Sequence, residues 1–326
     1  MMNILHIIGN GFDKAMGMKT SYPEFYEYLK SLPEKGSPLL ELMKKDIGVN
    51  KKNWSDMEEA LGQFTSKVES GQEFVDFYYE LSDKLQEYLA KELASFTRSE
   101  KLKSKIISDL LYLDRNLGDI DKPPFRNFAN TVSKPITVYV MSLNYTDTLE
   151  KILAFDNKSA LGFGNNNTLQ PIVHVHGLLN DSIIIGVDND MQIANKAFRD
   201  NDDVKDLLIK VQSNQVMKYN RHAECERFIS NADLIVLFGV SMGETDARWW
   251  KLIGEQMMKK KTLRIIQFLY SKNALSSTRR QLMGAVERQQ RTDLKRKLNI
   301  SEKDWSEGLD NRIFISVNSQ MFKPEE

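Results

Sequence analysis

Four short polar segments follow apolar runs in this chain: Gly9-Asn10-Gly11-Phe12-Asp13, Asn144-Tyr145-Thr146-Asp147, His174-Val175-His176-Gly177 and Gly239-Val240-Ser241-Met242-Gly243-Glu244. Together they offer backbone N–H donors, a side-chain amide, an imidazole and a second glycine-rich turn. That is the inventory of a nucleotide pocket, because ligands of open parallel sheets sit beyond the carboxyl ends of the strands. In the first segment glycine lets a ligand approach the backbone, and a following helix can hold a phosphate at its N-terminus. The third glycine position of the dinucleotide fingerprint is occupied by Lys14, so an ordinary strand-to-helix turn competes with the binding reading.

Each candidate has a plainer role to set against the chemical one. Asn144 can cap the helix after it, with Asp147 near the third helical position. His174 and His176 share one side of a strand, but two imidazoles without a third ligand make a poor zinc site, so no metal is expected. His176, at the strand end before Gly177, is the better acid–base candidate, and His174 reads as a packed histidine. Ser241 with Glu244 spells a capping box, although Gly239 and Ser241 can still line a pocket. Ser55 with Glu58 spells another, with Trp54 as a staple residue and with Asp56 and Glu59 solvated.

The elements that must position these residues alternate in type. Strands are predicted at Ile4–Ile8, Ile136–Leu143, Ile172–His176, Ile183–Val187, Leu234–Gly239, Leu263–Leu269 and Ile313–Val317; the third and fourth form a hairpin. Helices are predicted at Thr146–Leu153, Asn214–Asn231 and Glu244–Lys259. Between the first two strands the apolar spacing is helical, with Phe74, Phe77, Tyr78, Leu81, Leu85, Tyr88 and Leu89 on one face and a linker near Asp119–Pro124. Ser21 or Thr20 caps the first of these helices, with Pro23 in its first turn. The expectation is one α/β domain over residues 1–326, with a helical insertion at 25–130 and the remaining sheet at 132–326. The sheet is Rossmann-like and mostly parallel, since its strands are apolar throughout rather than alternating.

Composition narrows the function. The 326 residues carry 45 basic and 45 acidic side chains, so no global charge draws the chain to nucleic acid or an anionic membrane. A local excess of cations runs from Lys272 to Lys303, including Arg279, Arg280, Arg288, Arg291, Lys295, Arg296 and Lys297. Such a run is ordinarily a solvated helix face; its sharper reading is a patch for phosphates or an acidic partner. The single cysteine, Cys225, leaves no intrachain disulfide, and no signal peptide or membrane span is evident. A cytoplasmic protein is expected.

These residues as a set resemble the AbiH family of bacterial abortive-infection proteins. The likeness rests on Ile7-Ile8-Gly9-Asn10-Gly11-Phe12-Asp13, Thr20-Ser21-Tyr22 with Phe25, Trp54-Ser55-Asp56 with Glu58, Leu143 to Glu150, His174 to Gly177, and Phe238 to Asp246. The order glycine turn, strand-Asn, strand-His-Gly, strand-Gly-x-Ser also looks, more distantly, like sirtuin-like NAD-binding domains, including NAD-degrading domains of phage defence. That likeness implies a helper pair at the nicotinamide ribose, Asn144 and His176, as the catalytic residues. It implies nucleotide contacts from Gly9, Asn10, Gly11, Phe12, Asp13, Tyr145, Asp147, Gly239 and Ser241. The first loop departs from the sirtuin Gly-Ala-Gly-x-Ser, and the four-cysteine zinc module is missing.

The expected activity is therefore hydrolysis of NAD at its N-glycosidic bond, answering a phage-derived trigger, with a nucleotide as the small-molecule partner and a homo-oligomer left open. Two alternatives stay open as well. One is a sensor that binds NAD or a nucleotide derivative without cleaving it, and the other is an RNA-targeting toxin. Balanced charge and the lack of an Arg-x4-6-His motif weigh against the toxin.

Overall fold

The computed structural model describes every residue except 34–35, 133, 180, 273–281 and 325–326. Strand β1 (Met2–Ile8) is buried along nearly its whole length, as an apolar run must be when both sheet faces are covered. It lies between β2 (Ile136–Ser142) and β6 (Leu234–Phe238), parallel to both, with Ile4 opposite Val138 on one side and Leu234 on the other. Among the described residues the sheet has eight strands. Beyond β6 stand β7 (Arg264–Leu269) and β8 (Ile313–Val317), both parallel. Beyond β2 the hairpin β3 (Leu161–Gly164) and β4 (Asn167–Leu169) holds the one antiparallel pairing among the described strands, and β5 (Val173–His174) pairs with the carboxyl end of β2. The fold is mixed α/β with a mostly parallel sheet.

Helices cover the strands and fill the space between β1 and β2. In that interval stand α1 (Gly11–Ala15), α2 (Tyr22–Ser31), α3 (Pro38–Val49), α4 (Met57–Phe64), α5 (Gly71–Ser95), α6 (Glu100–Leu111) and α7 (Lys122–Thr131). The later helices are α8 (Thr148–Leu153), α9 (Asp202–Leu208), α10 (Lys210–Val216), α11 (Arg221–Asn231), α12 (Ala247–Lys259) and α13 (Leu282–Lys297). Strand alternation sends Ile4 and Ile8 to one face, under Ile106 of α6, Phe128 of α7 and Ile152 of α8. It sends Leu5 and Ile7 to the other, under Phe228 of α11, Trp249 of α12 and Leu294 of α13. A third apolar cluster joins α2–α5 to Ile183, Ile185, Val187 and α9. The helices before β2 thus do two jobs: α6 and α7 cover the sheet, while α2–α5 build a separate layer with residues 183–209. No described helix is long and apolar enough to cross a membrane.

Several local expectations change on contact with the structure. Ile183–Val187 is buried but forms no strand and no hairpin with β5. Its Ile185 N–H bonds the Tyr78 hydroxyl at 3.0 Å, and Val187 makes a single bridge to Ile209. The apolar run announced burial, and its backbone is shared among partners: Ile184 N–H donates to the His176 carbonyl at 2.8 Å, Ile185 to α5 and Val187 to the Leu208 carbonyl at 2.8 Å. The helix predicted over Asn214–Asn231 breaks at Lys218, which has φ +59°, giving α10 and α11. The β3–β4 hairpin lies outside the predicted strands, although Asn165 and Asn166, both at positive φ, carry its turn. Ser21 does open α2, with its N–H bonded to the Glu24 carboxylate at 3.0 Å.

In the basic run, Arg279 and Arg280 lie outside the described residues. Arg291 pairs with Glu287 and Asp310, Lys297 with Glu244, and Lys295 with Glu302. Those three cations are spent within the chain.

Candidate functional site

The chain leaves β1, β2, β5 and β6 at one end of the sheet, and the polar segments that follow surround one cavity of about 660 Å3. Gly9, Asn10, Gly11 and Asp13 line it from the first segment, and Asn144 and Tyr145 from the second. His176 lines it from the third, Gly239 and Ser241 from the fourth. Phe12 and Asp147, expected as nucleotide contacts, do not line it. The first turn of α1 turns Phe12 into the sheet core, edge-on to Phe322 at 5.4 Å. Asp147 stands outside at the start of α8, 3.5 Å from Lys151.

The glycines serve the protein's own backbone first. Gly9 N–H donates to the Phe238 carbonyl at 3.0 Å, and Gly11 N–H to the Gly239 carbonyl at 2.9 Å. A Cβ on Gly11 would stand 2.3 Å from Gly239 Cα, and Gly239 has φ +68°. Close approach of these two loops is what excludes a side chain here. The two N–H groups expected to hold a phosphate are therefore engaged on the neighbouring loop. Asn10 is committed as well: its amide donates to the Thr20 carbonyl at 3.0 Å and tethers the loop before α2.

Asn144 is held by its backbone and leaves its side chain unbonded. Its N–H donates to Ser142 Oγ at 3.2 Å, and its carbonyl accepts from His174 Nδ1 at 2.9 Å. The amide makes no hydrogen bond to a described residue. Helix α8 starts at Thr148 after Asp147, so Asn144 is not its cap. Beneath it, His174 Nε2 meets Glu150 Oε1 at 2.7 Å. An acceptor at each ring nitrogen favours the protonated form of His174. Burial works against that charge, but Glu150 and the Asn144 carbonyl outweigh it and raise the pKa above its usual value. His174 is a packed histidine that fixes the Asn144 backbone.

His176 belongs to a buried charged cluster. Its Nε2 lies 3.1 Å from Asp246 Oδ1 without hydrogen-bond alignment, and its Nδ1 has no partner among the described residues. Lys210 Nζ sits behind, donating to Asp246 Oδ1 at 2.9 Å, Glu58 Oε2 at 2.9 Å and the Thr245 carbonyl at 3.0 Å. Three acceptors satisfy its three protons. Thr245 Oγ1 donates to Glu58 Oε2 at 3.1 Å, and the Tyr145 hydroxyl lies 3.2 Å from Glu58 Oε1. Burial favours neutral Lys210, yet the two carboxylates hold it charged well above its usual range. Burial also works to raise Asp246, but Lys210 and then His176 outweigh it and hold that carboxyl low. For Glu58 burial wins: with Asp246 repelling it, its pKa is raised despite Lys210. One lysine thus keeps one acid ionised beside His176 and leaves the other closer to taking a proton.

Asp13 completes the polar floor. Its Oδ2 accepts from Thr146 Oγ1 at 2.6 Å while its Oδ1 is buried without a partner among the described residues. Burial pushes its pKa up to about 6, only partly opposed by the Thr146 and Thr148 hydroxyls. Among the described residues no three His, Cys, Asp or Glu side chains group to hold a metal.

The segments that converge were legible; the cluster behind His176 was not. The sequence pairs Glu58 with Ser55 in a capping box, but Asp56 is the cap, its Oδ1 accepting from the N–H groups of Glu58 and Glu59, and it lines the cavity. Glu58 is freed to point inward. Ser241 likewise caps nothing: the turn at Glu244–Asp246 follows Gly243, and Glu244 pairs with Lys297. Lys210 carries no local signal, since it follows Leu207-Leu208-Ile209 like any helix-surface lysine.

No curated protein matches the chain. A family model described as bacteriophage abortive infection AbiH matches residues 5–268. That span runs from β1 to β7 and contains every residue named at the cavity. The chain belongs to the AbiH family of bacteriophage abortive-infection proteins.

Proposed function

We propose that the chain acts in abortive infection as an NAD hydrolase, its sheet and cavity forming a Rossmann-like, sirtuin-like nucleotide site. The observation that carries this reading is the pairing, in one cavity wall, of the unbonded Asn144 amide with His176 backed by Asp246. Cleavage breaks the bond between ribose C1′ and the nicotinamide nitrogen. The pyridine leaves with the electron pair, positive charge develops on the ribose, and water adds to C1′. Groups that favour the charged transition state over the substrate accelerate this step. Asp246 supplies negative charge on that wall, Asn144 positions a ribose hydroxyl or the water, and His176 takes the proton the water releases. With the Gly9 and Gly11 N–H groups engaged, the phosphates fall toward Lys14, the lysine that lines the cavity.

Asn144→Ala and His176→Ala should each lower NAD consumption on the order of a hundredfold or more, the scale for a lost base or positioning group. Thermal melts should be nearly unchanged. The assay is NAD level and nicotinamide release with purified protein, in buffer and in phage-infected lysate, beside calorimetric NAD binding. Wild-type protein that never consumes NAD, or variants that consume it normally, would refute the hydrolase. Binding without consumption would instead establish the sensor, and RNA breakdown without either would establish the toxin.

A further inference from the structure

A second cavity, of about 610 Å3, opens between α5, α9 and α10, and none of its lining residues is shared with the first. Four carboxylates line it, Asp83, Asp181, Asp203 and Asp206, and among the described residues no lysine, arginine or histidine does. Asp181 is already bonded by Tyr219 and Arg221, at 2.7 and 2.6 Å. The other three make no ion pair with a described residue. Ser82 and Ser213 also line the cavity; their residues are 7% and 2% exposed, and neither hydroxyl makes a hydrogen bond to a described residue. Both hydroxyls open onto the cleft, where a donor can reach them. Between the carboxylates the walls are apolar, from Val75, Ile183, Leu207, Val216 and Met217, and Tyr79 stands 55% exposed among the lining residues.

We propose that this cleft binds a small aliphatic polyamine. Ammonium groups answer the carboxylates and donate to the serine hydroxyls, methylenes lie on the apolar walls, and the Tyr79 ring offers a face to a cation. The volume is that of a small-molecule site. An anionic nucleotide is repelled by the same carboxylates. A bare divalent ion is not matched, because no three acids among the described residues come together as ligands. A flexible chain with spaced charges fits where a point charge does not. The assignment holds whether or not the first cavity cleaves NAD.

The test is isothermal calorimetry of the full chain with spermidine at physiological salt. Saturable binding of one spermidine per chain is expected. The double variant Asp203→Asn/Asp206→Asn should weaken it by at least about tenfold, as loss of charge-assisted hydrogen bonds implies. Asp202→Asn should leave it unchanged, because Asp202 is an exposed neighbour that pairs with Lys205 and does not line the cleft. Thermal melts check folding, and Asp83→Asn, on the exposed side of α5, repeats the test if the double variant does not fold. Absence of saturable binding overturns the proposal, as does equal loss in Asp202→Asn or equal competition by magnesium at matched ionic strength. A tetralysine peptide that binds more tightly, and through the same carboxylates, would replace the polyamine with a basic polypeptide.

Discussion

Asp13 shows how much free energy a single carboxyl can hold in this site. Folding raises its pKa from an ordinary value of 3.8 to about 6, chiefly through burial. A raised acid costs nothing when both states are protonated, and costs progressively more as pH climbs through the interval between the two pKa values. The penalty is then constant above the folded pKa. Stability of the wild type should therefore fall relative to Asp13→Asn from pH 4 to pH 7, by up to about 3 kcal/mol for a shift of this size. An amide at this position can still accept from Thr146. Urea unfolding of both proteins at several pH values measures the difference, and a difference that is flat with pH would mean Asp13 titrates normally. The penalty falls where a strand end opens into the cavity, the kind of place where perturbed carboxyls serve chemistry.

At the scale of elements, the contact between the turn after β1 and the turn after β6 decides whether the cavity has a floor. Gly11→Ala puts a methyl 2.3 Å from Gly239 Cα, an atom of backbone that cannot swing aside. It should cost about 1–3 kcal/mol, the usual range for overpacking. Denaturation of the variant measures this, and an unchanged midpoint would show that the two turns separate freely. Such contacts explain what the sequence could and could not reveal. Buried parallel strands are apolar runs, so β1, β2, β6, β7 and β8 were legible, and polar residues just after them had to meet at one end. An apolar run does not name its partner, which is why Ile183–Val187 passed for a strand although Tyr78 takes its N–H. Glycine marks close approach without saying to what, so Gly9 and Gly11 suggested phosphate where the neighbour is Gly239. Lys210 was illegible because its acids lie 152 and 36 residues away.

For the molecule as a whole, Lys210 is the tie between the helical layer and the sheet. Glu58 belongs to α4, whereas Asp246 follows β6, and one ammonium bonds both. Lys210→Met strands two buried carboxylates together and should cost about 3–5 kcal/mol, as removal of one partner from a buried ion pair does. Hydrogen exchange should locate the loss: amides of α2–α5 should open before those of β1, β2 and β6, since the layer has its own apolar cluster. Uniform loss of protection would mean layer and sheet unfold together. The central place of β1 has a consequence for synthesis. Its two neighbours are β2 and β6, ending at Ser142 and Phe238. At translation rates of roughly 5–20 residues per second, β1 waits roughly 10–45 s for its second partner. Until then the turn carrying Gly11 has no Gly239 to rest on, and the wall carrying His176 has no Asp246. A ribosome-bound chain short of that point carries an unfinished pocket, so whatever this cavity does is withheld from the cell until β6 and Asp246 have been made.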